Sequence, residues 1–270
     1  MGAPLRWARR SPGAVLGVLV LVFWLVTTAT VQWWGLPDPT LRVGPRYAPP
    51  GGAFPLGTDA LGRDVLSRTL HGAKLSLPLA LAVVGASALA GALLGAIAGF
   101  LGGIADLVLS RLADVALAFP PVLLALAVAA TLGPGLLNAG LAMLAVWWPI
   151  YLRLMRAQVR SVVRLDHVSA AVAVGSTRPA ILRRHVVPLC WTPVLVALPL
   201  DLGQVILLGA GLSFVGLGAP PPAPEWGLMV AEGAAALHRW WIVAAPGAAI
   251  LSVVLACTIL GDSLQRADSG

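Results

Sequence analysis

The chain has 270 residues, of which 59% are hydrophobic and 11% charged, with a formal net charge of +7. Soluble domains run near 45–50% apolar and about 25% charged, so this composition excludes a water-soluble globular protein and points to the membrane. The positive charge would fit nucleic acid or an anionic lipid surface, but its distribution along the chain favours a topological reading.

The first apolar run, Ser11 to Pro37, follows Arg6, Arg9 and Arg10. It is longer than the core of a secretory signal, and it leads into Trp33-Trp34 rather than a small-x-small cleavage site. It is read as a retained span over residues 14–34, after an inner N-terminus at residues 1–13. Residues 35–74 form an outer segment. Its Pro- and Gly-rich beginning has no periodicity, and its end, PLGTDALGRDVLSRTLHGAKLSL, predicts an interfacial helix capped by Thr58 or Asp59 with Leu61, Val65, Leu66 and Leu70 on one side.

A core of five further spans is expected over residues 75–262. The second span carries Gly91, Gly95 and Gly99, a ladder of small residues through which another helix can approach closely. The stretch GGIADLVLSRLAD then reads as a short inner loop. The run from Val115 to Leu152 is too long for one crossing and is broken by Gly133-Pro134-Gly135, a turn signal, so it predicts spans three and four as a hairpin. The fifth span holds Asp201 and Gln204. An ionisable group at that depth costs about 2.5–3.5 kcal/mol and must face protein or a water-filled path. Two readings stand for Asp201: a place on a translocation pathway, or a structural pairing with a neighbouring subunit. The proline-rich segment at residues 212–227 reads as an outer loop, the sixth span follows, and residues 263–270 form an inner tail.

With six spans and the N-terminus inside, 12 of the 18 basic residues lie on the cytoplasmic side, in line with the positive-inside rule. Both termini and the basic insert DHVSAAVAVGSTRPAILRRHVVP then face the cytoplasm. Within the loop over residues 161–188, Asp166 can cap a helix that stops at Gly175, Ser176 can cap a second, and Pro188 marks its end. Ala170, Ala171 and Ala173 give the first helix a smooth surface suited to another protein's groove, and Arg178, Arg183 and Arg184 give the second a charged face. A solvated loop or a lipid-headgroup contact is the plainer alternative.

These residues resemble a family. Ala170, Ala171, Gly175, Ile181, His185 and Pro188 fall where the EAA-type loop of binding-protein-dependent ABC importer permeases has its recurrent residues. LGTDALGRDVLSR, GFLGG, RLADVALAFPPVLLALA, GPGLLN, LSFVGLGAPPPAPEWG and LGDSLQ follow the order seen in the second-type permease of dipeptide, oligopeptide and nickel importers. Two positions depart: Ser169 stands where the loop usually has Glu, and Gly209 where a Glu often precedes the L-S-F pattern.

The resemblance implies an all-α, six-helix polytopic membrane protein with the type I ABC importer permease fold, in a bacterial inner membrane. It implies half of a pathway for di- or oligopeptides, a second homologous permease, one or two cytoplasmic ABC ATPase subunits and an extracytoplasmic substrate-binding protein, with no nucleic acid partner. ATPase docking falls to Asp166, Ser169, Ala170, Ala171, Gly175, Arg178, Ile181, Arg183, Arg184, His185 and Pro188, although His185 also reads as a plain helix-end residue. The chain has no G-x-x-x-x-G-K-[ST], so it is read as no enzyme, without a cofactor or metal site, ATP and Mg being bound by the partner ATPases. The rival class is an ion-coupled secondary transporter using Asp201, which would carry internal repeats and several mid-membrane charges; neither is visible.

Overall fold

The computed structural model describes residues 12–268, so Arg6, Arg9, Arg10 and most of the expected 1–13 segment lie outside the described residues. Those described form a helical bundle: α1 (Pro12–Thr30, extended by a 3-10 turn to Trp33), α2 (Val65–Leu101), α3 (Gly103–Leu117), α4 (Pro121–Leu132), α5 (Leu136–Val162), α6 (Asp166–Ala173), α7 (Arg178–Ile181), α8 (Val187–Phe214), α9 (Trp226–Ala234) and α10 (Trp241–Asp268). Five helices are long and apolar enough to cross a membrane, or six if the bent pair α3 and α4 counts as one span. The end carrying residues 163–186 is termed the basic end, and the opposite one the proline-rich end.

The expected interfacial helix is replaced by the first turns of α2, which runs unbroken for 37 residues through the boundary drawn at residue 74. Its cap is Asp64, whose carboxylate accepts from the Ser67 N–H at 2.7 Å, and not Thr58 or Asp59. Those two close the preceding loop instead. The Thr58 hydroxyl donates to the Pro45 carbonyl and accepts from the Ala48 N–H, and the Asp59 carboxylate accepts from the N–H groups of Leu61 and Arg63. Helix start signals compete here with an Asx-type turn, and the turn wins. Burial pushes the Asp64 carboxyl above the usual range.

At about 1.5 Å per residue α2 is about 55 Å long, well beyond a hydrocarbon core of about 30 Å. An untilted α2 would therefore extend beyond the apolar layer. Lower down, Gly91, Gly95 and Gly99 lie against α5, where an added Cβ would collide with the carbonyl oxygens of Trp148, Leu152 and Arg156 in turn. The matching four-residue steps bring two backbones together along three turns. Tyr151, Leu152, Met155 and Val159 of α5 are fully buried along it.

The segment expected as an inner loop is the 15-residue helix α3. Its acidic charges are satisfied by α5: Asp106 accepts from Arg156 and, at 2.7 Å, from Arg160, and Asp114 pairs with Arg153 at 2.6 Å. The chain then bends by 93° into α4. With 12 residues α4 spans about 18 Å, too little to cross alone. The hairpin to α5 falls at Gly133-Pro134-Gly135, where both glycines have positive φ and the Asn138 amide donates to the carbonyls of Leu132 and Gly133.

At the proline-rich end, Glu225 caps α9 by accepting from the Gly227 and Leu228 N–H groups and takes a further hydrogen bond from Ser76 of α2. Beside it Trp226 is fully buried, donates to the Thr69 carbonyl at 2.7 Å and meets Trp24 of α1 edge-on at 4.9 Å. One short sequence, Glu225-Trp226-Gly227, thus fastens α9 to both α1 and α2.

Candidate functional site

Three places gather the chemistry. The first is the hinge between α5 and α8. α6 ends at Gly175, φ +80°, in a Schellman arrangement: the Gly175 N–H donates to Val172 and the Ser176 N–H to Ala171. The cap of α6 is Leu165, with Asp166 in the first turn, and the cap of α7 is Thr177 rather than Ser176. Pro188 does not end the second helix. It sits in the first turn of α8, and α7 runs into α8 through a π-helical stretch, Leu182–Val186. A proline ring crowds the carbonyl four residues before it, here Arg184, and widening the preceding turn relieves that clash.

Within this hinge the docking residues divide. Ala171 and Ile181 turn inward with Val168 and Val186 and join the main core. Asp166, Ser169, Ala170, Gly175, Arg178, Arg183, Arg184 and Pro188 are exposed, and His185 is half-buried with its carbonyl facing the His167 ring at 3.2 Å. Two exposed apolar side chains complete the surface and were not anticipated: Val172 and Val174, the latter 81% exposed. A valine next to the left-handed glycine of a helix end was the available signal, since that position projects from the tip of the turn.

The second place is at the proline-rich end. Arg63 pairs with Asp59 at 2.5 Å and with Glu232 at 2.8 Å, and Arg68 reaches the same Glu232 oxygen at 3.0 Å. Arg68 is 1% exposed and also donates to the carbonyls of Pro39 and Pro222. One side chain thereby joins the loop before α2, the loop before α9, and α9 itself. In the sequence Arg63 and Arg68 are simply interspersed among the apolar residues of the expected interfacial helix, and Glu232, 164 residues beyond Arg68, has no visible connection to them.

The third place is mid-bundle. Asp201 of α8 is 8% exposed and sits beside the Tyr151 hydroxyl and the Trp147 indole N–H of α5. Asp201 and Gln204 line a groove of 410 Å³, walled by Ile150, Leu154 and Pro193 and reached by Gln265 of α10. Gly209 lies elsewhere, in a water-sized space of 20 Å³ with Ser76, Met143 and Glu225. The two positions line different cavities. Among the described residues no three His, Cys, Asp or Glu side chains gather as a metal site.

Residues 91–267 match the family described as "Binding-protein-dependent transport system inner membrane component". The chain is 39% identical over 267 residues to the "Probable D,D-dipeptide transport system permease protein DdpC" of Escherichia coli (strain K12), covering 98% of this chain and 90% of the relative. It is 41% identical to the "Di/tripeptide transport system permease protein DppC" of Pseudomonas aeruginosa (strain UCBPP-PA14), over 95% and 88% of the two chains. With the "Dipeptide transport system permease protein DppC" of Escherichia coli (strain K12) it shares 40% identity over 96% and 89%. These matches set aside the ion-coupled secondary transporter. On the bundle, its bent helix pair and this near full-length likeness, the chain belongs to the inner membrane components of binding-protein-dependent transport systems, as a multi-pass permease subunit of an ABC importer whose ATPase is a separate subunit.

Proposed function

We propose that this permease forms half of a pathway for di- or oligopeptides and is driven through the hinge at residues 161–188. Peptide cargo is supported by the names of three relatives at 39–41% identity. The basic end faces the cytoplasm on this reading, with both termini, in a bacterial inner membrane; a second homologous permease, one or two ATPase subunits that bind ATP and Mg, and an extracytoplasmic binding protein complete the importer.

The observation that carries the docking role is the exposed tip formed by Ala170, Val172 and Val174 in front of Gly175, flanked by Arg178, Arg183 and Arg184. Exposed valines at a turn are stabilised by a partner that covers them, and small neighbours let that partner's groove approach. Ala171 and Ile181 act from behind: they fix the tip to the core, so a displacement of the tip moves α5 and α8 together. The ladder Gly91, Gly95 and Gly99 keeps α2 and α5 a single body in that motion.

The test is co-purification with the cognate ATPases in lipid nanodiscs, with ATP hydrolysis measured against loaded binding protein. Val174→Glu is expected to cut ATPase capture at least tenfold, about 1.4 kcal/mol, while the permease still inserts and melts as the wild type does. Undiminished capture and stimulation would remove the hinge from the docking role.

A further inference from the structure

Five acidic side chains are buried among the described residues: Asp59, Asp64, Asp106, Asp201 and Glu225. Asp59 and Asp106 are paired with arginines, and Asp64 and Glu225 cap helices. Asp201 has neither arrangement. Its polar neighbours are the neutral Tyr151 hydroxyl and Trp147 indole N–H, and no cationic side chain among the described residues forms an ion pair with it. A buried carboxylate without a counter-charge is costly, and a cation delivered to it offsets that cost.

We infer that the Asp201 groove is a subsite for a primary ammonium group of the transported solute, the α-ammonium of a peptide in the first place; this rests on the reading that the chain forms half of the pathway. The groove holds 410 Å³, within the range of small-molecule sites and far beyond the roughly 30 Å³ share of one water. Its polar groups are few: the Asp201 carboxyl and the side-chain amides of Gln204 and Gln265, whose oxygens can accept from a donor. An ammonium presents three N–H donors and no acceptor. A bare sodium ion would ask for a closed shell of oxygens, which an apolar wall of Ile150, Leu154 and Pro193 does not provide. That wall suits the carbon atoms flanking the ammonium. Tyr151 and Trp147 stand beside the carboxyl as neutral donors and bring no charge to it.

The experiment uses the assembled importer in nanodiscs, with Cys190 and Cys257 replaced by alanine and Gln204→Cys placed in the groove. Rates of thiol modification are compared for cationic 2-aminoethyl and anionic 2-sulfonatoethyl methanethiosulfonate. The cationic reagent is expected to react about tenfold faster, the equivalent of about 1.4 kcal/mol. Asp201→Asn is expected to bring the rates near parity, and Asp201→Glu to keep the preference. Alanyl-alanine is expected to slow the cationic reagent in the Asp201 background, and N-acetyl-alanyl-alanine, which lacks the ammonium, to leave it unchanged. Equal rates for the two reagents would overturn the ammonium subsite and leave the pathway reading standing. No reaction with either reagent would show a groove closed to water and remove both. A charge preference that alanyl-alanine does not protect would assign Asp201 to a cation of the partner permease and overturn the subsite.

Discussion

At the proline-rich end Asp59, Arg63, Arg68 and Glu232 interlock in the interior, whereas at the basic end Arg178, Arg183 and Arg184 stand exposed and Arg153 meets Asp114 on the surface. The chain uses arginine for two purposes. Inside, a guanidinium fork replaces water for several acceptors at once and makes loops from distant parts of the chain into one lid on the bundle. Outside, it remains available to a partner. The difference is one of cost: a buried charge that loses a partner is stranded, while a surface charge is hydrated either way.

That contrast can be broken in graded steps. Arg68→Met leaves Asp59 and Glu232 sharing Arg63 alone, and a loss of about 3–5 kcal/mol is expected as a lower melting temperature in nanodiscs. Adding Glu232→Gln should recover much of it, because the stranded charge is the main term. Gly175→Ala puts a Cβ on a left-handed residue at φ +80°; about 1–2 kcal/mol is expected there, largely recovered by Gly175→Asn, as read by proteolysis of the hinge. The smallest effect belongs to Asp114→Ala. Its partner Arg153 is half-exposed, and such pairs are worth about 0–1 kcal/mol, so an unchanged melting curve at moderate salt is expected. A large loss there would show the basic end to be as interlocked as its opposite.

Features written in local chemistry were legible in the sequence. Gly133-Pro134-Gly135 marks the hairpin and Gly175 the end of α6 because positive φ is a property of single residues. Helix α3 was read as a loop because Asp106, Arg111 and Asp114 look like solvated charges until Arg156 and Arg160, some 50 residues later, are seen to take Asp106. The cap at Asp64 was missed for a related reason: Thr58 and Asp59 are equally good caps locally, and the loop contacts that occupy them are not local. In the hinge, two turns of α6 are too few for periodicity to separate the inward Ala171 from the outward Ala170. Asp201 was conspicuous by its type alone, while the groove beside it is a product of three helices and has no linear trace.

The buried cluster also fixes an order of events during synthesis. Glu232 leaves the ribosome 164 residues after Arg68. At about 5–20 residues per second that is a delay on the order of ten to thirty seconds. Through that interval Arg63 and Arg68 have only Asp59 to balance them, and the segment before α2 has no lid to join. Closure of the network therefore requires that α9 has arrived, and until residue 232 is made two arginines share the single carboxylate of Asp59.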